Sequence, residues 1–290
     1  MNYKMIGRFL ALIAALEAVF LLPALGISLG YGEMQAAGAM AMSLGIMMAV
    51  AGVLGLLGRG AGNRFLATEG MVCVGLGWVS LSLLGCLPFV LSGEIPRFID
   101  AFFEIVSGFT TTGASILPDV EAMSRGLLYW RSFSHWVGGM GVLVFLLAVT
   151  PSDAQGKGFT MHILRAESPG PDVGKLVPRM RNTALILYGI YIALTVTNFL
   201  FLIAGGMPVF DAVCTAFGTA GTGGFGVRGD SIASYSPYIQ WVITVFMVLF
   251  GINFNAYYFI LLKHFKEAFS MEEVRACLLY TSPSPRDKRQ

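Results

Sequence analysis

The chain has 290 residues, with 19 Lys+Arg against 17 Asp+Glu and a net charge of +2. Its charged fraction is 12%, about half the roughly 25% of a soluble domain, while 56% of residues are hydrophobic and the mean hydropathy is +0.71. This balance excludes a soluble enzyme, a disordered chain and a secreted disulfide scaffold, and leaves a polytopic membrane protein. Four cysteines, Cys73, Cys86, Cys214 and Cys277, are too scattered for a disulfide framework or a metal site. The small net charge gives no sign of nucleic-acid binding.

Crossing roughly 30 Å of hydrocarbon takes about 20 apolar residues. Runs of that kind occur at 9–29, 38–57, 70–91, 130–149, 184–204 and 238–262. The first contains Glu17 and Pro23 and reads as a retained span, because no small-residue cleavage site followed by a soluble domain is present. Two shorter apolar stretches, 98–109 and 209–220, sit between full spans. At about 1.5 Å per residue each reaches only ~18 Å, too short to cross. A re-entrant half-helix and a helix lying in the interface both fit. With the N-terminus inside, the inner segments hold twelve Lys/Arg, and the outer segments hold four: Arg97, Arg125, Arg131 and Arg228. That bias predicts a cytoplasmic N-terminus, six crossings, and both short stretches entering from outside.

An internal repeat surrounds the short stretches. At a shift of 111 residues Asp100-Ala101 falls on Asp211-Ala212, Thr111 on Thr222, Gly113 on Gly224, and Ser107 meets Gly218. His135-Trp136-Val137 further resembles Gln240-Trp241-Val242. Each unit reads as span, short helix, Thr/Gly loop, span. Non-helical backbone inside a bilayer is tolerated only where protein buries it or where it lines water. The loops Thr110-Thr111-Thr112-Gly113-Ala114 and Gly221-Thr222-Gly223-Gly224-Phe225 are such backbone. Thr hydroxyls and carbonyls are neutral oxygen donors, and glycine permits angles that turn successive carbonyls toward one axis. A ring of carbonyls can replace the hydration shell of a monovalent cation. A half-helix ending at the loop aims its negative end there as well. Asp100 and Asp211, in the first turns, favour the helix dipole and leave negative charge near the outer mouth. The bland reading is that these glycines only let helices pack closely.

The motifs Phe102-Phe103-Glu104 and Ser107-Gly108-Phe109-Thr110-Thr111-Thr112-Gly113-Ala114 resemble the first pore loop of the Trk/Ktr/HKT potassium transporters. His135-Trp136-Val137-Gly138-Gly139-Met140-Gly141 resembles the start of the following helix, and Arg165-Ala166-Glu167-Ser168-Pro169-Gly170-Pro171 the cytoplasmic loop of the TrkH branch. Gly223-Gly224-Phe225 with Asp230-Ser231-Ile232 resembles the second pore loop, and Gly251-Ile252-Asn253-Phe254-Asn255 the middle of its second helix. The resemblance covers about residues 1–277. It implies an all-α polytopic membrane protein with six transmembrane helices and two re-entrant pore half-helices. It implies four pore units around one potassium pathway, two of which this chain carries. The transported ion is then potassium, with no organic cofactor. By position, Thr111 and Thr112, and Thr222 and Gly223, should line the ion sites, flanked by Thr110 and by the filter glycines Gly113 and Gly224. The implied partners are a second copy of the subunit and a cytosolic nucleotide-binding regulatory subunit of the TrkA type, and the implied location is a bacterial inner membrane. Channel-like flow and symport with another cation both stay open.

The division that follows is an N-terminal helix pair (1–66), a first repeat (67–150), a cytoplasmic loop (151–182), a second repeat (183–263), the start of a third (264–277) and a tail (278–290). The tail switches abruptly to Ser/Pro/Arg composition. It reads as foreign sequence appended to a truncated frame or as a genuine disordered terminus. The two filter loops make a potassium-uptake subunit the leading reading; the alternative is a non-conducting membrane scaffold or assembly module. A membrane enzyme is weakest, for lack of a catalytic cluster. The G-x-G-x-x-G match at 221–226 lacks the preceding strand of a dinucleotide site. Glu104 is expected to brace its loop or tune the mouth, Glu17 to serve the helix pair, and His135 to hydrogen-bond at the interface. Asn253 and Asn255 could face the ion path or bond between helices.

Overall fold

The computed structural model describes residues 2–60, 67–139, 141, 180–271 and 274. The expected cytoplasmic loop, the end of the fourth apolar run and the tail lie outside or almost outside these residues. Among them every regular element is helical. The fold is that of an all-α, multi-pass membrane protein.

Helix α1 (Tyr3–Gly30) starts where the Asn2 side chain accepts from the Met5 amide at 3.2 Å. It runs through Pro23 without a break, as membrane helices can when neighbours satisfy the freed carbonyl. A tight turn with Gly32 at φ +74° returns the chain as α2 (Met34–Leu57). The two pack closely at their far ends, where Gly58 lies against Arg8 and Lys4. Next come α3 (Ala67–Gly85) and α4 (Leu87–Ser92), which together form an apolar 24-residue span, Glu69–Ser92. The two short stretches become α5 (Phe98–Phe109) and, later, α8 (Val209–Ala220), of 12 residues each and with the expected bounds. Between them lie α6 (Arg125–Gly139) and α7 (Met180–Ala204).

The sixth expected span is not one straight helix. Two helices replace it, α9 (Pro237–Gly251) and α10 (Phe254–Leu261), bent by 84°. Ile252 and Asn253 are not helical there, with ψ of 139° and 121°. Asn253 accepts from the Asn255 amide at 2.9 Å and so starts a new helix. The Tyr257 hydroxyl donates to the Leu249 carbonyl at 2.7 Å, satisfying one orphan acceptor at the end of α9. A last short helix, α11 (Phe265–Ser270), follows. Among the described residues, four helices are long and apolar enough to cross a membrane, or five with the bent pair taken as one.

Large apolar side chains such as Val19, Leu22, Met71, Leu200 and Trp241 point outward from these helices. That outward face suits hydrocarbon rather than water. Among the described residues the two larger apolar cores form inside, one among α1–α6 and one among α7–α9. An aromatic seam joins them: Phe217 of α8 meets Phe133 at 5.5 Å and Tyr129 at 5.7 Å, and Trp136 meets Tyr191 at 5.5 Å. Each such pair adds about 0.5–1.5 kcal/mol beyond its area. The repeat is thus broken in packing. Trp136 lies in the seam, whereas Trp241, its counterpart in sequence, is 70% exposed.

Candidate functional site

Each short helix ends in a turn that reverses the chain. After α5, Thr111 takes φ +55° and Gly113 φ +76°; after α8, Thr222 takes φ +53° and Gly224 φ +78°. The left-handed region is costly for a β-branched residue, so finding it at both threonines is informative. The hydrogen bonds repeat at the same shift. The amides of Thr111 and Thr222 donate to the carbonyls of Gly108 and Thr219 at 3.0 Å each. Those of Gly113 and Gly224 donate to Ser107 at 3.5 Å and Gly218 at 3.4 Å. The repeat seen in sequence is therefore a repeat of backbone conformation.

In the first loop the returning chain lies beside the helix it left. Both carboxylate oxygens of Glu104 on α5 accept from it, one from the Ser115 hydroxyl and one from the Ile116 amide, at 2.9 Å each. In the second, Gly218 packs on the Phe225 carbonyl. Both elements are thus helix-and-return hairpins. The loops meet each other: Gly113 sits against the Gly223 carbonyl, and Gly223 against the Thr111 carbonyl. A side chain at Gly113 would strike that carbonyl, so this glycine is required by both space and angle.

Of the expected site residues, Thr110, Thr112, Thr222 and Gly224 are exposed, and Thr111, Gly113 and Gly223 are half-buried. The structure brings the two loops together at Thr111, Gly113 and Gly223. The Thr110 hydroxyl bonds to the Val106 carbonyl at 2.7 Å and to the Thr112 hydroxyl at 2.8 Å. The expected acids lie at the other end of the short helices. Neither leaves an uncompensated negative charge: Asp100 is 3.6 Å from Arg97, and Asp211 is 3.8 Å from Arg228. Asp211 also accepts from the Tyr235 hydroxyl at 2.7 Å. Burial, and then this bond to Asp211, push the Tyr235 phenol above its usual value.

Helix α6 holds the two loops together, with a periodicity that sequence reading missed. Ser134 and Gly138 face the first loop, packing on Gly108 and on the Phe109 carbonyl. His135 and Gly139 face the second, packing on Gly221. Residues four apart share a helix face, so one helix presents adjacent faces to both loops. Arg131 belongs to this face and not to the outer segments. It is 2% exposed, and its Nε donates to Glu104 at 2.6 Å. Its Nη1 donates to the Gly226 carbonyl at 3.0 Å, and its guanidinium lies 3.6 Å from the Phe225 ring centre. One side chain thereby ties both loops. Glu104 is a brace, as one of its two expected roles had it. His135 is not interfacial: it is fully buried, and neither ring nitrogen has a hydrogen-bond partner among the described residues. An arginine inside an apolar run, four residues before a histidine, was the available signal.

The N-terminal pair supports this frame from outside. Glu33, in the α1–α2 turn, accepts from the first amides of α6, Arg125 at 2.8 Å and Gly126 at 3.2 Å. Gly126 in turn packs on Ser28 of α1. Glu17 is buried with no partner for either oxygen among the described residues, and it lies against Gly85. Asn253 caps its own helix.

A family model described as TrkH, cation transport protein, matches residues 38–286. The chain belongs to the TrkH family. Among curated TrkH-family proteins, the Trk system potassium uptake protein TrkH of Salmonella typhimurium is 35% identical over 266 residues. The protein of that name from Escherichia coli K12 is 34% identical over 266 residues. Each alignment takes in 90% of this chain and 54% of the relative. The crystal structure of the potassium transporter TrkH from Vibrio parahaemolyticus superposes with a TM-score of 0.75 at 28% identity, over 89% of this chain and 52% of that one. The chain thus spans about half the length of the TrkH relatives it matches. Those relatives are transporters.

Proposed function

We propose that this chain contributes two of the four filter loops of a Trk-type potassium uptake subunit. The observation that carries the reading is the paired loop: the same left-handed residues twice, at Thr111/Gly113 and Thr222/Gly224, with the two loops in contact. In this reading potassium sheds water at carbonyl oxygens of Thr111, Thr112, Thr222 and Gly223, with Thr110, Gly113 and Gly224 shaping the backbone. Neutral oxygens suit a monovalent cation, which must bind well enough to enter and weakly enough to leave. The C-terminal ends of α5 and α8 add about half an elementary negative charge each beside the loops. Glu104 and Arg131 hold the loops at fixed separation, so that the geometry does not relax around a smaller ion. The units 67–150 and 183–263 are the two pore repeats, and 1–66 is their outer support.

The same reading places the chain in a bacterial inner membrane with its N-terminus in the cytoplasm. It has a second copy of the subunit and a cytosolic TrkA-type nucleotide-binding subunit as partners. The names of the relatives, each a component of a Trk potassium uptake system, support it. The test is potassium accumulation by the full-length gene product in bacteria lacking their own uptake systems. Growth at low external potassium is the expected result. A product that reaches the membrane in normal amount yet moves no potassium would leave the scaffold reading in its place.

A further inference from the structure

We propose that His135 is a spacer that sets the position of the second filter loop against the first, and that cation selectivity depends on the size of its ring. The imidazole is fully buried. It occupies the space that a side chain at Gly223 would need, and Cδ2 lies 2.9 Å from where a Gly221 Cβ would stand. Its ring centre is 4.2 Å from that of Phe225, the residue that ends the loop. The Thr111 carbonyl of the first loop meets the same face of Gly223, 2.5 Å from where its Cβ would stand. One face of Gly223 thus packs against both a ring on α6 and a carbonyl of the first loop.

The chemistry of the ring points to volume as its contribution. Neither nitrogen has a hydrogen-bond partner among the described residues. What remains is a rigid, flat body filling the gap behind Gly221 and Gly223. Interiors transmit a change of shape because they are close-packed. A smaller side chain lets the loop sink toward α6 and changes the spacing between its carbonyls and those of the first loop.

The inference rests on the potassium-pathway reading. Its test is the ratio of potassium to sodium uptake by the full-length gene product in uptake-deficient bacteria, with membrane abundance measured in parallel. His135→Ala is expected to lower the ratio about tenfold, equivalent to about 1.4 kcal/mol of differential binding. His135→Phe keeps a ring and removes both nitrogens, and should hold the ratio within about twofold, as volume-conserving swaps are tolerated best. An unchanged ratio in His135→Ala overturns the proposal. So does a His135→Phe protein that reaches the membrane and has lost its preference, which would assign the role to the nitrogens. Should the alanine variant fail to reach the membrane, His135→Phe alone decides, by the same criterion. An unsubstituted protein that moves no potassium overturns the functional reading beneath it as well, whereas a selective parent with an equally selective alanine variant overturns this proposal alone.

Discussion

Arg131→Ala should be among the most damaging single substitutions in the chain, and its cost should depend on Glu104. The two side chains are 3% and 0% exposed, with Nε and Oε1 2.6 Å apart. Removing one partner of a buried pair leaves the other charge uncompensated, at about 3–5 kcal/mol. The alanine also forfeits the bond to the Gly226 carbonyl and the stacking on Phe225. The stacking contributes about 0.5–2 kcal/mol. Glu104→Leu with Arg131→Met removes both charges and retains bulk, so the double variant should be much less destabilised than the sum of the two single changes. It should still fall below the parent, because the Ile116 amide and the Ser115 hydroxyl lose their acceptor. Unfolding in detergent, followed by the fluorescence of Trp130 and Trp136 on the same helix, supplies the free energies. A coupling energy of about 2 kcal/mol or more is expected, against the roughly 0.3–0.5 kcal/mol scatter of independent sites. Additivity within that scatter would refute the role of Arg131 as a tie between the loops.

The two loop glycines, Gly113 and Gly224, should differ although the repeat equates them. Gly113→Ala meets both a left-handed backbone and the Gly223 carbonyl, so it should abolish potassium preference in uptake assays and lower thermal stability. Gly224→Ala meets nothing within 4 Å; only the backbone cost of about 1–2 kcal/mol applies, so it should remain selective. Glu33→Ala should cost about 0.5–2 kcal/mol, because two first-turn amides of α6 lose their capping acceptor, as a melting-temperature shift would show. Tyr235→Phe removes the bond to Asp211. The raised phenol favours the protonated form in the folded protein, so the stabilisation is full below the ordinary tyrosine value of about 10 and is lost as pH rises beyond it. Melting curves of parent and Tyr235→Phe proteins should therefore differ at pH 8 and converge in strong alkali.

Composition and run length were enough to establish a membrane protein, because the bilayer imposes its demand on every residue of a span. The bounds of α5 and α8 were legible for the same reason: an apolar stretch too short to cross must be accommodated some other way. The register of the repeat was legible because turn chemistry is local, and Thr111 and Thr222, like Gly113 and Gly224, take up the same angles. The break between Gly251 and Phe254 was not, since the apolar run continues through it. Its cause is the Asn253 cap and the Tyr257 bond back to Leu249.

Tertiary structure alone decided which residues hold the loops. Arg131 has the look of a topology signal in the sequence, and its partners lie 27 and 95 residues away. His135 and Gly223 are likewise remote along the chain and adjacent in space. Nothing in local pattern distinguishes Gly113, pressed against another loop, from Gly224, which faces open space. A sequence sets what each segment can do with its own backbone and with a bilayer. Which side of a helix meets which loop is settled only when close packing selects one mutual arrangement of all of them.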